Sequence, residues 1–247
     1  MKTLVVFRKE FGDIIKSKTL LLFIVIILAS LTPAIIGMRT GMVNAIEQGS
    51  PWEEIEPVLE YQIGFESWLI SFLILILLPF ALGLNLLIQE KAKRITESLL
   101  ATPLGVKSLW WGKSLGAFLP GFIFNIIIVL LSVAVFNLAI IQPATGHMVL
   151  PWANLATCRV VLPLMVLSLV LLLMLIALIT TSPQIAMMIV IFLVVGSSQI
   201  LLRIGINITS WDFALLHLGI ALLLGLIAAF LGRICLTKER VVLSCKA

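Results

Sequence analysis

Gly112-Lys113-Ser114 carries the residue types of a phosphate-binding loop. Such a loop reads glycine, four residues, then Gly-Lys-Ser/Thr, and it follows a strand. Its first glycine would have to stand at position 107, which is Lys107, and Gly105 is two residues too early. Trp110 and Trp111 would also crowd the turn where backbone amides must wrap a phosphate. The triplet therefore does not read as a nucleotide site. The remaining reactive residues are equally scattered. His147 and His217 are the two histidines, and neither sits in an H-E-x-x-H pattern. Ser197 and Ser198 stand in VVGSSQ, without the spacing of a nucleophile elbow. Glu53 and Glu54 have no histidine beside them, and Cys158, Cys235 and Cys245 lack metal-ligand spacing. No catalytic residue, metal site or cofactor is predicted for this chain.

The elements around these residues belong to a bilayer. Of 247 residues, 61% are hydrophobic and 12% charged, with mean hydropathy +1.20. A soluble domain is about half apolar and a quarter charged, so no packing in water would hide this side-chain set. The fold class is an all-α polytopic membrane protein, with residues 1–247 as a single transmembrane domain. The net charge of +5 does not point to nucleic acid, because the cations cluster at the ends of apolar stretches.

About 20 apolar residues cross a bilayer. Six stretches qualify: 19–36, 67–88, 115–141, 160–179, 185–202 and 213–234. Between the fourth and fifth, Ser182 and Pro183 suit a cap and a first helical position, which predicts a tight turn. Fourteen of the 17 Lys and Arg residues fall on one side and Arg39, Arg159 and Arg203 on the other. This bias predicts a multi-pass protein of the cell membrane with both termini cytoplasmic. At its edge Lys113 is expected to snorkel, with Trp110 and Trp111 in the aromatic belt.

Residues 1–18 predict an amphipathic interfacial helix. Leu4, Phe7, Phe11, Ile14 and Ile15 share one face; Lys9, Asp13 and Lys16 share the other. Outside, Ser50-Pro51-Trp52-Glu53 fits a capping box that opens a short acidic helix limited by Pro57. The only substantial cytoplasmic loop spans 89–113. Residues 95–101 there predict about two helical turns with Ile95 and Leu99 on one face, and Thr102-Pro103 predicts the start of the next helix. The short helix reads equally as a docking element for a partner groove and as a solvated connector.

Gln89-Glu90-Lys91, Glu97-Ser98-Leu99-Leu100-Ala101-Thr102-Pro103 and Gly112-Lys113 together resemble the permease subunits of ABC-2 type transporters. Phe7-Arg8-Lys9-Glu10 is similar to that family's N-terminal elbow helix, and Thr237-Lys238-Glu239-Arg240 to its basic tail. Arg94 departs from the glycine the family often carries there. The resemblance implies six transmembrane helices, an elbow helix with Phe7, Phe11 and Ile14 at the interface, and a cytoplasmic coupling helix. Arg94, Ile95, Glu97, Leu99, Leu100, Thr102 and Pro103 would then contact a separate ABC ATPase subunit, which holds ATP and Mg. A second copy, or a related permease, would complete the pore. Asn85, Ser197, Ser198 and Gln199 would line the pathway. Export by alternating access is the implied activity. A scaffold that transports nothing and an ATP-independent carrier are the other readings; the lack of mid-span charges disfavours the carrier.

Overall fold

The computed structural model describes residues 2–47, 49, 51–93, 95–101, 105–180, 188 and 207–244. Among them are eight helices and no strand: α1 (Lys2–Ile15), α2 (Lys18–Glu47), α3 (Trp52–Lys91), α4 (Ile95–Ala101), α5 (Val106–Thr145), α6 (Trp152–Ile179), α7 (Trp211–Ile234) and α8 (Lys238–Leu243). Four of these, α3, α5, α6 and α7, are long and apolar enough to cross a membrane. They contain the expected stretches 67–88, 115–141, 160–179 and 213–234. The first expected stretch, 19–36, falls within α2. The fifth, 185–202, lies outside the described residues, as do Ser182 and Pro183.

The packing is that of a protein dissolved in lipid. Leu222, Leu226 and Phe230 of α7 and Leu21, Leu22 and Val25 of α2 are exposed, while Ser67, Ser71, Asn125, Asn154 and Thr157 are fully buried. In hydrocarbon an unpaired polar group is costly and an exposed leucine is not, which inverts the arrangement of a soluble domain. The core is mainly aliphatic with a few aromatic rings; Ile74 and Leu75 of α3, Phe136 of α5 and Leu162, Val166 and Leu175 of α6 are among its fully buried members.

Helices α3 and α5 are each 40 residues long. At 1.5 Å per residue such a helix spans about 60 Å, twice the ~30 Å hydrocarbon core, so both project beyond it. Three π-helical turns interrupt the ladders, at Pro79–Leu84, Phe136–Ile141 and Thr157–Val161. The first opens at Pro79, whose ring nitrogen has no hydrogen to donate. The acidic segment is not a separate surface helix. Pro57 lies inside α3, which runs on from Trp52 without a break. A single lost N–H leaves one carbonyl to solvent in an exposed turn, too little to end so long a helix. Ser50 lies outside the described residues, and Pro51 occupies the cap position rather than the first helical one. Likewise α5 starts at Val106, with Gly105 as its cap, beyond the expected Thr102-Pro103 start.

Both terminal helices lie at one end of the bundle. Lys91 Nζ, at the end of α3, donates to the carbonyls of Leu178 (3.1 Å) and Thr180 (2.8 Å) and to Ser244 Oγ (2.9 Å). It thus caps α6 electrostatically, as a cation does at a helix C-terminus, and holds the end of α8 against it. Ser244 Oγ donates in turn to Leu178 O at 2.7 Å. Losing hydrogen bonds to a charged group costs about 1.5–3 kcal/mol. Lys91→Met is therefore expected to raise amide exchange across 238–243 by an order of magnitude or more, with α6 little changed. Unaltered exchange in α8 would show that its own fully buried Val241 is enough to hold the helix in place.

The opposite end is closed by other means. Gly64 of α3 packs so closely on Thr209 and Asn154 that a Cβ there would stand 2.8 Å from Thr209 Cγ2. Gly146, at φ +73°, ends α5 in the left-handed conformation that glycine tolerates. Asn137 grips the segment beyond it, donating to Val149 O (3.0 Å) and accepting from Val149 N (2.7 Å). Asn207 accepts from the amide and hydroxyl of Thr209, an Asx turn that leads into the Ser210 cap of α7. Thr180 and Asn207 thus stand at opposite ends of the bundle.

Candidate functional site: a buried charge cluster at the base of the short helix

Lys113 is 1% exposed. It does not snorkel: its amine turns inward and meets two carboxylates. Nζ donates to Glu10 Oε1 at 2.5 Å and to Glu90 Oε2. The other oxygen of Glu90 accepts from Lys9 Nζ at 2.9 Å. Two cations and two anions from α1, α3 and α5 form a neutral set. Lys9 stays half exposed while Glu10, Glu90 and Lys113 are buried, and the neutrality of the set is the physical condition for burying those three, since an uncompensated buried charge costs several kcal/mol.

Backbone shape makes the cluster possible. Gly112 and Gly116 lie one turn apart on α5 and face Val6 and Glu10, one turn apart on α1. A Cβ on Gly112 would approach Val6 Cβ to 2.8 Å, and one on Gly116 would approach Glu10 Cβ to 2.5 Å. The two glycines cut a groove that seats α1 and brings Glu10 within reach of Lys113. The inward face of α1 is Val6, Glu10 and Ile14, with Phe7 and Phe11 half-buried beside it. Leu4, Val5 and Ile15 point outward. The expected apolar face is therefore divided: Ile14 packs into the protein, and Leu4 and Ile15 are exposed.

Burial raises the Glu10 carboxyl above its ordinary value, against the opposing pull of Lys113. The hydrogen bond to Glu90 is the main cause that raises the Lys9 amine. Trp110, expected in an aromatic belt, is also inside. Its Nε1 donates to Leu171 O at 2.9 Å, and its ring fills the gap left by Gly232 of α7. Trp111 remains at the surface.

The cluster grips both arms that carry α4. Glu90 and Lys91 end α3 just before it, and Lys113 lies in the second turn or so of α5 just after it. Within α4, Thr96 is fully buried, Ile95 and Leu99 are half-buried and Ser98 is exposed. Leu99 packs against the protein's own core, so the face it shares with Ile95 is only partly free. The side chains of Glu97 and Leu100, and residues Arg94, Thr102 and Pro103, lie outside the described residues. Helix α8 packs against α4 and α6. Glu90 and Lys113 thus tie the neighbouring ends of α3 and α5 to α1, and Lys91 ties the end of α3 to Ser244 at the end of α8.

Of the expected pathway residues, Asn85 is exposed on α3 and its amide donates to Ala81 O at 2.5 Å. Ser197, Ser198 and Gln199 lie outside the described residues. His217 is buried, its Nδ1 2.9 Å from Phe213 O. Among the described residues no group of histidine, cysteine and acidic side chains is placed to hold a metal.

Sequence reasoning alone does not bring Lys9, Glu10, Glu90 and Lys113 together. The signal was present twice: Glu10 shares a helical face with Val6 and Ile14, and Gly112 and Gly116 repeat at the four-residue spacing of a close helix contact. Comparison with family models, with curated proteins and with solved structures finds no match.

Proposed function

We propose that the chain is the membrane-spanning permease subunit of an ABC-2 type transporter. A separate ATPase subunit would drive it, and a second copy or a related permease would complete the pore. The observation that carries this reading is the mounting of α4. A seven-residue helix set between two 40-residue helices, whose adjoining ends are tied to each other and to the N-terminal helix by buried ion pairs, has the form of a lever. A connector that merely joined two spans would have no use for three buried charges at its base.

In this reading α4 is the coupling helix and α1 the elbow helix at the cytoplasmic interface. Closure of the ATPase dimer on ATP and Mg would push α4. The push would pass through Glu90, Lys113 and Glu10 into α1, and through α3 and α5 into the bundle, shifting it between inward- and outward-open states. Six spans would follow if α2 and residues 181–206 each cross once, adding two to the four apolar helices; Thr180 and Asn207, at opposite ends of the bundle, fit the second of these crossings. Both termini then share the cytoplasmic side with the cation-rich segments.

Co-purification tests the reading. The tagged chain, expressed with its genomic neighbours and isolated in mild detergent, is expected to bring down an ATPase in equal stoichiometry, and the complex to hydrolyse ATP. A chain that purifies alone, stable and without ATP hydrolysis, would favour the scaffold or the ATP-independent carrier.

A further inference from the structure

Between α3, α5 and α6 lies a polar cluster that the charge cluster does not touch. Ser71 Oγ (3.3 Å) and Asn125 Nδ2 (3.0 Å) both donate to the carbonyl of Cys158. That carbonyl lies in the π turn Thr157–Val161, whose wider winding presents it to side chains from the neighbouring helices. Cys158 Sγ lies 3.4 Å from Asn154 Oδ1, and Asn154 in turn packs on Gly64. On α3, Gly64, Ser67, Trp68 and Ser71 follow one another along this same face.

Four polar atoms here have no hydrogen-bond partner among the described residues: Ser67 Oγ, Trp68 Nε1, Asn125 Oδ1 and Asn154 Nδ2. All four side chains are more than nine-tenths buried. The set is complementary rather than random. Trp68 and Asn154 offer N–H donors, Asn125 offers an acceptor, and the Ser67 hydroxyl does either. Leaving one such group unmet costs about 1–3 kcal/mol, so four together on three helices call for a shared partner. Water accepts two hydrogen bonds and donates two, which is the complement of this set, and buried waters typically bind where several unmet polar groups converge.

We propose that Ser67, Asn125 and Asn154 hold an internal hydration site of one or two ordered waters between α3, α5 and α6, with the Trp68 indole at its edge. The ligand class is water itself. The site needs neither an ATPase nor a second copy, so its test stands apart from the transporter reading.

Brief X-ray radiolysis makes hydroxyl radical wherever water lies, and oxidation of nearby side chains is read by mass spectrometry. The two buried tryptophans form an internal comparison. Trp68 (4% exposed) has a free indole N–H at the cluster, whereas Trp110 (5% exposed) is paired with Leu171. Trp68 is expected to oxidise several-fold faster than Trp110, approaching the exposed Trp111. Asn154→Leu and the milder Ser67→Ala should slow Trp68 oxidation and leave Trp110 and Trp111 unchanged. Equal protection of Trp68 and Trp110 in the native chain would overturn the proposal. So would Trp68 oxidation that is indifferent to both substitutions.

Discussion

Replacing Lys113 by methionine is expected to cost the folded protein about 3–5 kcal/mol, the range for removing one partner from a buried ion pair. The arithmetic of the cluster explains why. The native set is two cations and two anions; Lys113→Met leaves Lys9 facing Glu10 and Glu90. Lys9 already pairs with Glu90 and is half exposed, so Glu10 becomes the uncompensated charge. Adding Glu10→Gln restores neutrality and should recover a large part of the loss. A double-mutant cycle on unfolding in detergent reads this as a coupling energy well above the ~0.5 kcal/mol scatter of independent sites. The pH dependence has a definite sign. Burial already raises the Glu10 carboxyl, and loss of Lys113 removes its main counterweight. A carboxyl raised in the folded state contributes stability below its unfolded value, and that contribution is lost as pH rises through the folded value. The penalty of Lys113→Met should therefore be smaller near pH 5 than near pH 8. Additive single and double substitutions, with no pH dependence, would mean that the three groups do not share one buried site.

Gly116→Leu should have the second large effect, and through a different route. The first atom of the new side chain would fall 2.5 Å from Glu10 Cβ, inside any real contact distance. Overpacking alone costs about 1–3 kcal/mol. Here the chain can relieve it by lifting α1 out of its groove, which would also pull Glu10 from Lys113. The expected result is a folded bundle with a detached N-terminal helix: rapid amide exchange and protease cleavage within 2–15, and little change in α6. Gly12→Leu, at a position where a Cβ meets nothing within 4 Å, is the matched control. Identical behaviour of the two variants would show that α1 is held by something other than this groove.

The two effects also mark what sequence reasoning could reach. The apolar stretches in α3, α5, α6 and α7 were legible because hydropathy is a local property, and the structure places a helix over each of them. The helix over 95–101 was legible from its spacing and its neighbours. The role of Lys113 was not. A lysine at the edge of an apolar run normally reaches for the headgroups. Two carboxylates distant in sequence, Glu10 at 103 residues and Glu90 at 23, turn it inward. Glycines at 112 and 116 hinted at a close contact, but nothing local identified α1 as the visitor. Pro57 misled for a related reason: a proline signals a helix end locally, whereas the packing of Ile55, Leu59 and Ile63 holds α3 continuous across it.

The most direct test of the account sits on α4. Ser98 is exposed, and its hydroxyl donates only to Ile95 O in its own turn. Ser98→Cys can therefore carry a photo-activated cross-linker without disturbing the core. The account predicts a cross-link, in membranes from the native host, to a chain that binds ATP, with a yield that changes between nucleotide-free and ATP-trapped states. A Ser98 cross-link that forms only within the chain itself, or whose yield ignores nucleotide, would contradict the claim that α4 receives the stroke of an ATPase.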